Sequence, residues 1–120
     1  MTDTSPVENL SSAAEQIRAF NHSSRHASEE WTYPSHSYSA LGELTQLAQM
    51  FGQAIDQATR PATRTYEHGR LLIDGQGDPD AAVEQMLALK DLAVEHAEAL
   101  ASALGKLHSS TSAMAVDTSE

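Results

Sequence analysis

The sequence predicts an all-α protein: a long antiparallel helical hairpin with an N-terminal helix laid across or alongside it, a three-helix bundle that pairs into a dimer. Three observations carry this. Of the 120 residues 40% are hydrophobic and 19 are alanine, so the interior must come from close approach of backbones rather than bulky side chains, a composition that favours helices. Apolar residues recur at three- and four-residue spacing through most of the chain. One cluster of turn residues, Gly75-Gln76-Gly77-Asp78-Pro79-Asp80, separates the two longest of these segments.

The first helix begins at Ser5-Pro6-Val7-Glu8, a capping box with proline at the first helical position. Val7, Leu10, Ala14, Ile17 and Phe20 form one narrow apolar stripe that needs a partner. Serines and histidines then replace the periodic residues, so the helix is expected to end between Asn21 and Ser28. Trp31-Thr32-Tyr33-Pro34 reads as a connector, because Pro34 has no amide proton and biases Tyr33 toward extended geometry.

Ser35 or Ser37 is the expected cap of the second helix. Its apolar positions Tyr38, Leu41, Leu44, Leu47, Ala48, Phe51, Ile55 and Ala58 cover a face wide enough for two neighbours. Pro61 bends or interrupts this helix, but Ala62, Tyr66 and Ile73 keep helical spacing, so the expectation is one long kinked helix to about Asp74. Two glycines then end it, Asp78 caps the third helix and Pro79 takes its first turn. From Ala81 to Leu107 the pattern is uninterrupted. The expected organisation is a disordered start at 1–5, one helical domain at 6–108 and a disordered Ser/Thr-rich tail at 109–120. A thin unit of this kind buries little area per residue, which predicts a homodimer.

The formal charge of −10 argues against nucleic acid and anionic membrane surfaces as partners. No cysteine is present, which removes disulfide frameworks, thiolate zinc sites and cysteine nucleophiles. No window approaches the ~18 consecutive apolar residues of a membrane span, and MTDTSPVENL lacks the basic and apolar regions of a signal peptide, so the expected setting is the cytoplasm.

Few constellations carry chemistry. His22 and His26, four apart, would share a side of a continued helix with Glu30 about a turn onward, a two-His-one-carboxylate metal cluster; the alternative is a solvated helix end. Trp31, Tyr33, His36 and Tyr38 gather aromatic contact area into eight positions, suited to binding a partner or to plugging the end of the bundle. Arg60 and Arg64 share a face in a locally basic segment and either meet an acidic partner or pair with Glu84, Asp91 or Glu95 across the hairpin. Glu67-His68 and Glu95-His96 do not make the Glu-x-x-His spacing of di-iron bundles, and no nucleophile elbow or phosphate loop is present. The reading is a non-enzymatic protein–protein interaction module without a cofactor, with a metal- or small-ligand-binding bundle as the alternative.

Two resemblances bear on this. Small size, acidity, lack of cysteine and a helical hairpin are similar to the small type VII secretion substrates, which implies a secreted helical hairpin. The turn Gly75-Gln76-Gly77-Asp78 lacks that family's tryptophan, and Ser37, Gly42 and Arg70 stand where its export signal has an acidic residue four after tyrosine. Trp31-Thr32-Tyr33-Pro34, followed by Leu41-Gly42-Glu43-Leu44 and Gln53, resembles small actinobacterial helical proteins of uncharacterised function, over roughly residues 25–58. That resemblance implies no particular activity.

Overall fold

The computed structural model describes residues 5–119, which form four helices: α1 (Pro6–Ser23), α2 (Pro34–Ala58), α3 (Arg60–Glu67) and α4 (Pro79–Ser110). The expected disorder at 1–4 and at Glu120 lies outside the described residues. Extended pairing among the described residues is confined to one isolated bridge, Ser28 with Trp31. The fold is all-α, and its body is the antiparallel pair α2–α4.

The register of that pair runs without a slip along its whole length. Tyr38 stacks on His108 with ring centroids 4.2 Å apart, and Val94 packs over Gly52. Lys90 Nζ lies 3.2 Å from Asp56, and the Tyr66 hydroxyl donates to Asp80 at 2.5 Å. Seam positions alternate steps of three and four, the heptad spacing of coiled helices: Leu41, Thr45, Ala48, Gly52, Ile55 and Thr59 against Val83, Leu87, Lys90, Val94, Ala97, Ala101 and Leu104. Small residues fill the middle of the seam. Ala48 is 2% exposed, and Ala48, Val83 and Ala97 are the buried hydrophobic core. The interior is therefore made by backbone approach, as the alanine content predicts.

Local signals explain most helix ends. Ser5 accepts from the Glu8 amide and the Glu8 carboxylate accepts from the Ser5 amide, closing the expected capping box. Asp78 accepts from the Asp80 amide, with Pro79 in the first turn of α4. The α4 helix runs to Ser110, past the expected boundary at 108, and Thr111 is buried with its hydroxyl donating to the His108 carbonyl.

Three expectations need correction. The second helix does not continue to Asp74. It divides at Thr59, which stays in the right-handed helical region (φ −88°, ψ −10°), because Pro61 has no amide to donate back to Gln57. Hydroxyls of Thr59, Thr63 and Thr65 donate to carbonyls three or four residues back and steady the bend. The helix then ends at Gly69, not at Gly75: Gly69 adopts φ +70°, its amide donates to the Tyr66 carbonyl and the Arg70 amide to that of Thr65, a Schellman closure. Residues 70–78 form an irregular connection in which Ile73 packs against Gly77.

The second correction concerns the cap of α2. Neither Ser35 nor Ser37 supplies it. Tyr33 is the N-cap residue, Pro34 takes the first turn, and His36 reaches back so that its Nδ1 accepts the Thr32 and Tyr33 amides at 3.0 and 3.1 Å.

The third concerns α1, which is laid neither across nor alongside the hairpin. It packs on no other helix and buries no residue; Val7 is 73% exposed. Its tie to the body is Phe20, whose ring meets Trp31 edge-on at 5.5 Å. The molecule is accordingly long, 73 × 35 × 27 Å, with a radius of gyration of 20.3 Å against roughly 13–14 Å for a compact chain of this length.

Candidate functional site

The connector between α1 and α2 is built by short-range hydrogen bonds. Ser28 and Trp31 exchange amide–carbonyl bonds at 3.1 and 3.3 Å, the Thr32 hydroxyl donates to the Ser28 carbonyl, and His36 holds the next two amides. This folds the chain back so that Trp31 stands between Phe20 and the start of α2. The result is an open groove of about 400 Å³ whose walls are Ile17 and Phe20 from α1, Trp31, and Ala40, Leu44 and Leu47 from α2. Glu30 and Glu43 stand on it, and neither has an ion-pair partner among the described residues. Such a cleft is of the size and apolar character that receives a ligand or a neighbouring side-chain row.

The groove opens onto a longer apolar surface. On α2, Ala40, Leu44, Leu47, Phe51, Ala54 and Ala58 form a second row about 100° around the helix from the seam, at 100° per residue. On α4, Met86, Leu89, Ala93, His96, Leu100, Ala103 and Leu107 stand in the same relation to their seam. Reversing a helix reverses the sense in which its residues advance around the axis, so in an antiparallel pair two rows displaced alike lie on the same side. One face of the hairpin is thus apolar along most of its length, with His96 as the polar exception in the α4 row. Phe51 is 46%, Leu89 57% and Leu107 49% exposed there. The opposite face carries Gln46, Gln49, Gln53 and Asp56 on α2, with Glu84, Asp91, Glu95 and Glu98 on α4.

The structure distributes the sequence-predicted contact residues over two distant places. Trp31 is half-buried against Phe20 and forms a groove wall; Tyr33 is exposed beside it, with its ring 5.6 Å from that of His36. His36 spends its Nδ1 on the helix cap. Tyr38 belongs to the seam through His108, though part of its ring faces water. Arg60 and Arg64 stand at the other end of α2, some 26 residues and about 40 Å along the hairpin from Pro34. Arg60 binds Asp56 at 3.0 Å rather than an acidic residue of α4, and Lys90 completes that cluster, so the Asp56 carboxyl is held below its ordinary range, first by Arg60 and then by Lys90.

The alternative metal cluster of His22, His26 and Glu30 is not assembled. The α1 helix ends at Ser23, so His26 lies beyond it and the shared helical side is lost. Among the described residues no group of three or more His, Asp or Glu gathers as a metal site. Sequence reasoning missed the α4 half of the apolar face. The three–four spacing of Met86, Leu89 and Ala93, resumed by Leu100, Ala103 and Leu107 after His96, was its visible signal, but its alignment with α2 required the register.

Fold and surface together define an elongated helical hairpin with one apolar and one polar face. Comparison with protein families, curated proteins and solved structures yields no match. Among the described residues no helix is long and apolar enough to cross a membrane.

Proposed function

We propose that this protein is a non-enzymatic helical interaction module, set in the cytoplasm, that works as a homodimer through the apolar face of its hairpin, with Trp31 and Tyr33 as anchors at the groove end. The single observation that carries the reading is the position of two apolar rows, one per helix, on the same side of the hairpin, with Phe51, Leu89, Leu100 and Leu107 exposed there. A solvated monomer has no use for such a surface, because contiguous apolar patches of this length mark association sites. The accessible surface points the same way: it is 9584 Å², against roughly 6300 Å² for a compact monomer of this mass. The excess exceeds the ~1200–2000 Å² that a standard interface removes from water.

Sedimentation equilibrium tests the reading. The expected result is a dimer that Leu89→Glu dissociates with at least a ~10-fold rise in Kd, since it buries a charge in an apolar interface. Glu95→Gln, on the polar face, leaves association unchanged. A stable monomer at about 100 μM that binds no hydrophobic dye rejects the proposal.

A further inference from the structure

We propose that His36 is a pH-sensitive latch: protonation of its ring at Nδ1 removes the acceptor that closes the α1–α2 connector, and the connector opens and uncovers Trp31. All the bonds involved lie within one chain and do not depend on the homodimer proposed above.

The geometry fixes the protonation state of the closed form. The Nδ1 lone pair takes the amide protons of both Thr32 and Tyr33, at 3.0 and 3.1 Å. A ring nitrogen that accepts carries no proton, so the imidazole is neutral and its one N–H is on Nε2. Imidazolium donates from both nitrogens, and a proton on Nδ1 would stand against two N–H groups aimed at it. Residue 36 is the third of α2, the place where a capping box has Glu or Gln. Those side chains keep an acceptor throughout the range near neutral pH, whereas mild acid removes that of histidine.

The groups around the ring act in both directions. His36 is half-buried at the α2 N-terminus, where the positive end of the helix dipole opposes a charged ring. Glu30 and Glu43 line the same groove and attract the charge once the amides let go. Tyr33 lies beside the ring, 5.6 Å between centroids, and a phenol adds no charge near neutral pH. The α1 helix contributes Ile17 and Phe20 to the groove, and the segment after α4 contributes Thr111 and Met114 on the other side; neither brings an ionisable group.

The latch holds more than a helix end. The two captured amides directly follow Trp31, which exchanges amide–carbonyl bonds with Ser28. Trp31 in turn meets Phe20, the tie between α1 and the body. Releasing Thr32 and Tyr33 therefore loosens the segment that positions Trp31. The closed connector excludes a proton that the open one binds, so closure is complete above the ordinary imidazole value of about 6.5 and weakens as pH falls below it.

Trp31 is the one tryptophan of the chain, so its emission reports the connector. In the full-length protein that emission is expected to shift to the red and become more accessible to acrylamide quenching between about pH 7 and pH 4.5, above the range where carboxylates titrate. Far-UV circular dichroism should change little, because the α2–α4 pair stays intact. His36→Gln, which keeps an acceptor that mild acid does not remove, should hold the closed emission and abolish the transition. His36→Ala should show the open emission already at pH 7, and His22→Gln combined with His26→Gln should leave the transition in place. In the wild type the His36 ring, followed by its 15N shifts, should be the Nε2–H tautomer at pH 7 and take up its proton in step with the emission change, so the test stands even where glutamine does not reproduce the cap. The midpoint should be independent of protein concentration, which separates the latch from dissociation of a dimer. Emission that stays constant over this range, a transition that survives His36→Gln, an Nδ1–H tautomer at pH 7, or a midpoint that moves with concentration overturns the proposal.

Discussion

His108 of α4 lies directly over Gly42 of α2: its Nε2 is 3.1 Å from the point where a Cβ on Gly42 would stand. The same imidazole stacks on Tyr38 one turn earlier, with the rings inclined at 31°. One histidine thereby closes the end of the seam, and it fits because residue 42 has no side chain.

Replacing that glycine separates two opposed effects. Gly42→Ala gains about 1 kcal/mol of helix propensity and gives it back in displacing the imidazole, for a net change near zero. Gly42→Val adds two methyl groups on the same spot and is expected to lower stability by about 1–2 kcal/mol and break the Tyr38–His108 stack. Urea unfolding gives the first quantity and tyrosine fluorescence reports the second. Equal stability of the two variants would contradict this account.

Of the three glycines between α3 and α4, Gly77 and Gly69 have different reasons to be there. A Cβ on Gly77 would stand 2.6 Å from Cγ2 and 3.1 Å from Cβ of Ile73, a branched side chain with no flexible end to move away. Gly77→Ala is therefore expected to cost about 1–3 kcal/mol through overpacking, and Ile73→Ala should relieve part of that cost in the double variant. Gly69 has open space around it and φ +70°, so Gly69→Ala is expected to cost about 1 kcal/mol through backbone strain alone, and Gly69→Asn less. A double-mutant cycle showing no coupling between residues 73 and 77 removes the first explanation.

Acid should loosen the far end of the hairpin through Asp56. Its carboxyl is held low in the folded chain by Arg60 and Lys90. A depressed folded value means that the stabilisation is complete above the unfolded value of about 3.9 and is lost as pH falls through the folded one. The melting temperature of Asp56→Asn should lie below that of wild type at pH 6 and converge with it toward pH 2. Melting curves that stay parallel across that range exclude the mechanism.

How much of this was legible in the chain differs by element. Ser5-Pro6-Val7-Glu8 and Asp78-Pro79 were readable because a cap is made by residues two or three apart. The α2 cap was not, since it depends on an imidazole acting as acceptor where serine is the common choice. The end of the second helix was misplaced because Ala62 and Tyr66 keep the seam spacing across Pro61; periodicity follows the face, and Gly69 was the overlooked stop signal. For the site, Trp31, Tyr33 and the breadth of the α2 face were visible, whereas Arg60 and Arg64 proved to lie at the other end of the hairpin.

From its letters alone this chain declares that it is helical, where most helices start, and that more apolar surface exists than one partner can cover. Those properties depend on residues within a few positions of one another, so they survive without knowledge of the fold. Folding settled which stripes share a side and that α1 stands off the body. These outcomes depend on the direction and register of α4 against α2, a relation between residues as far apart as Tyr38 and His108 that no local pattern encodes.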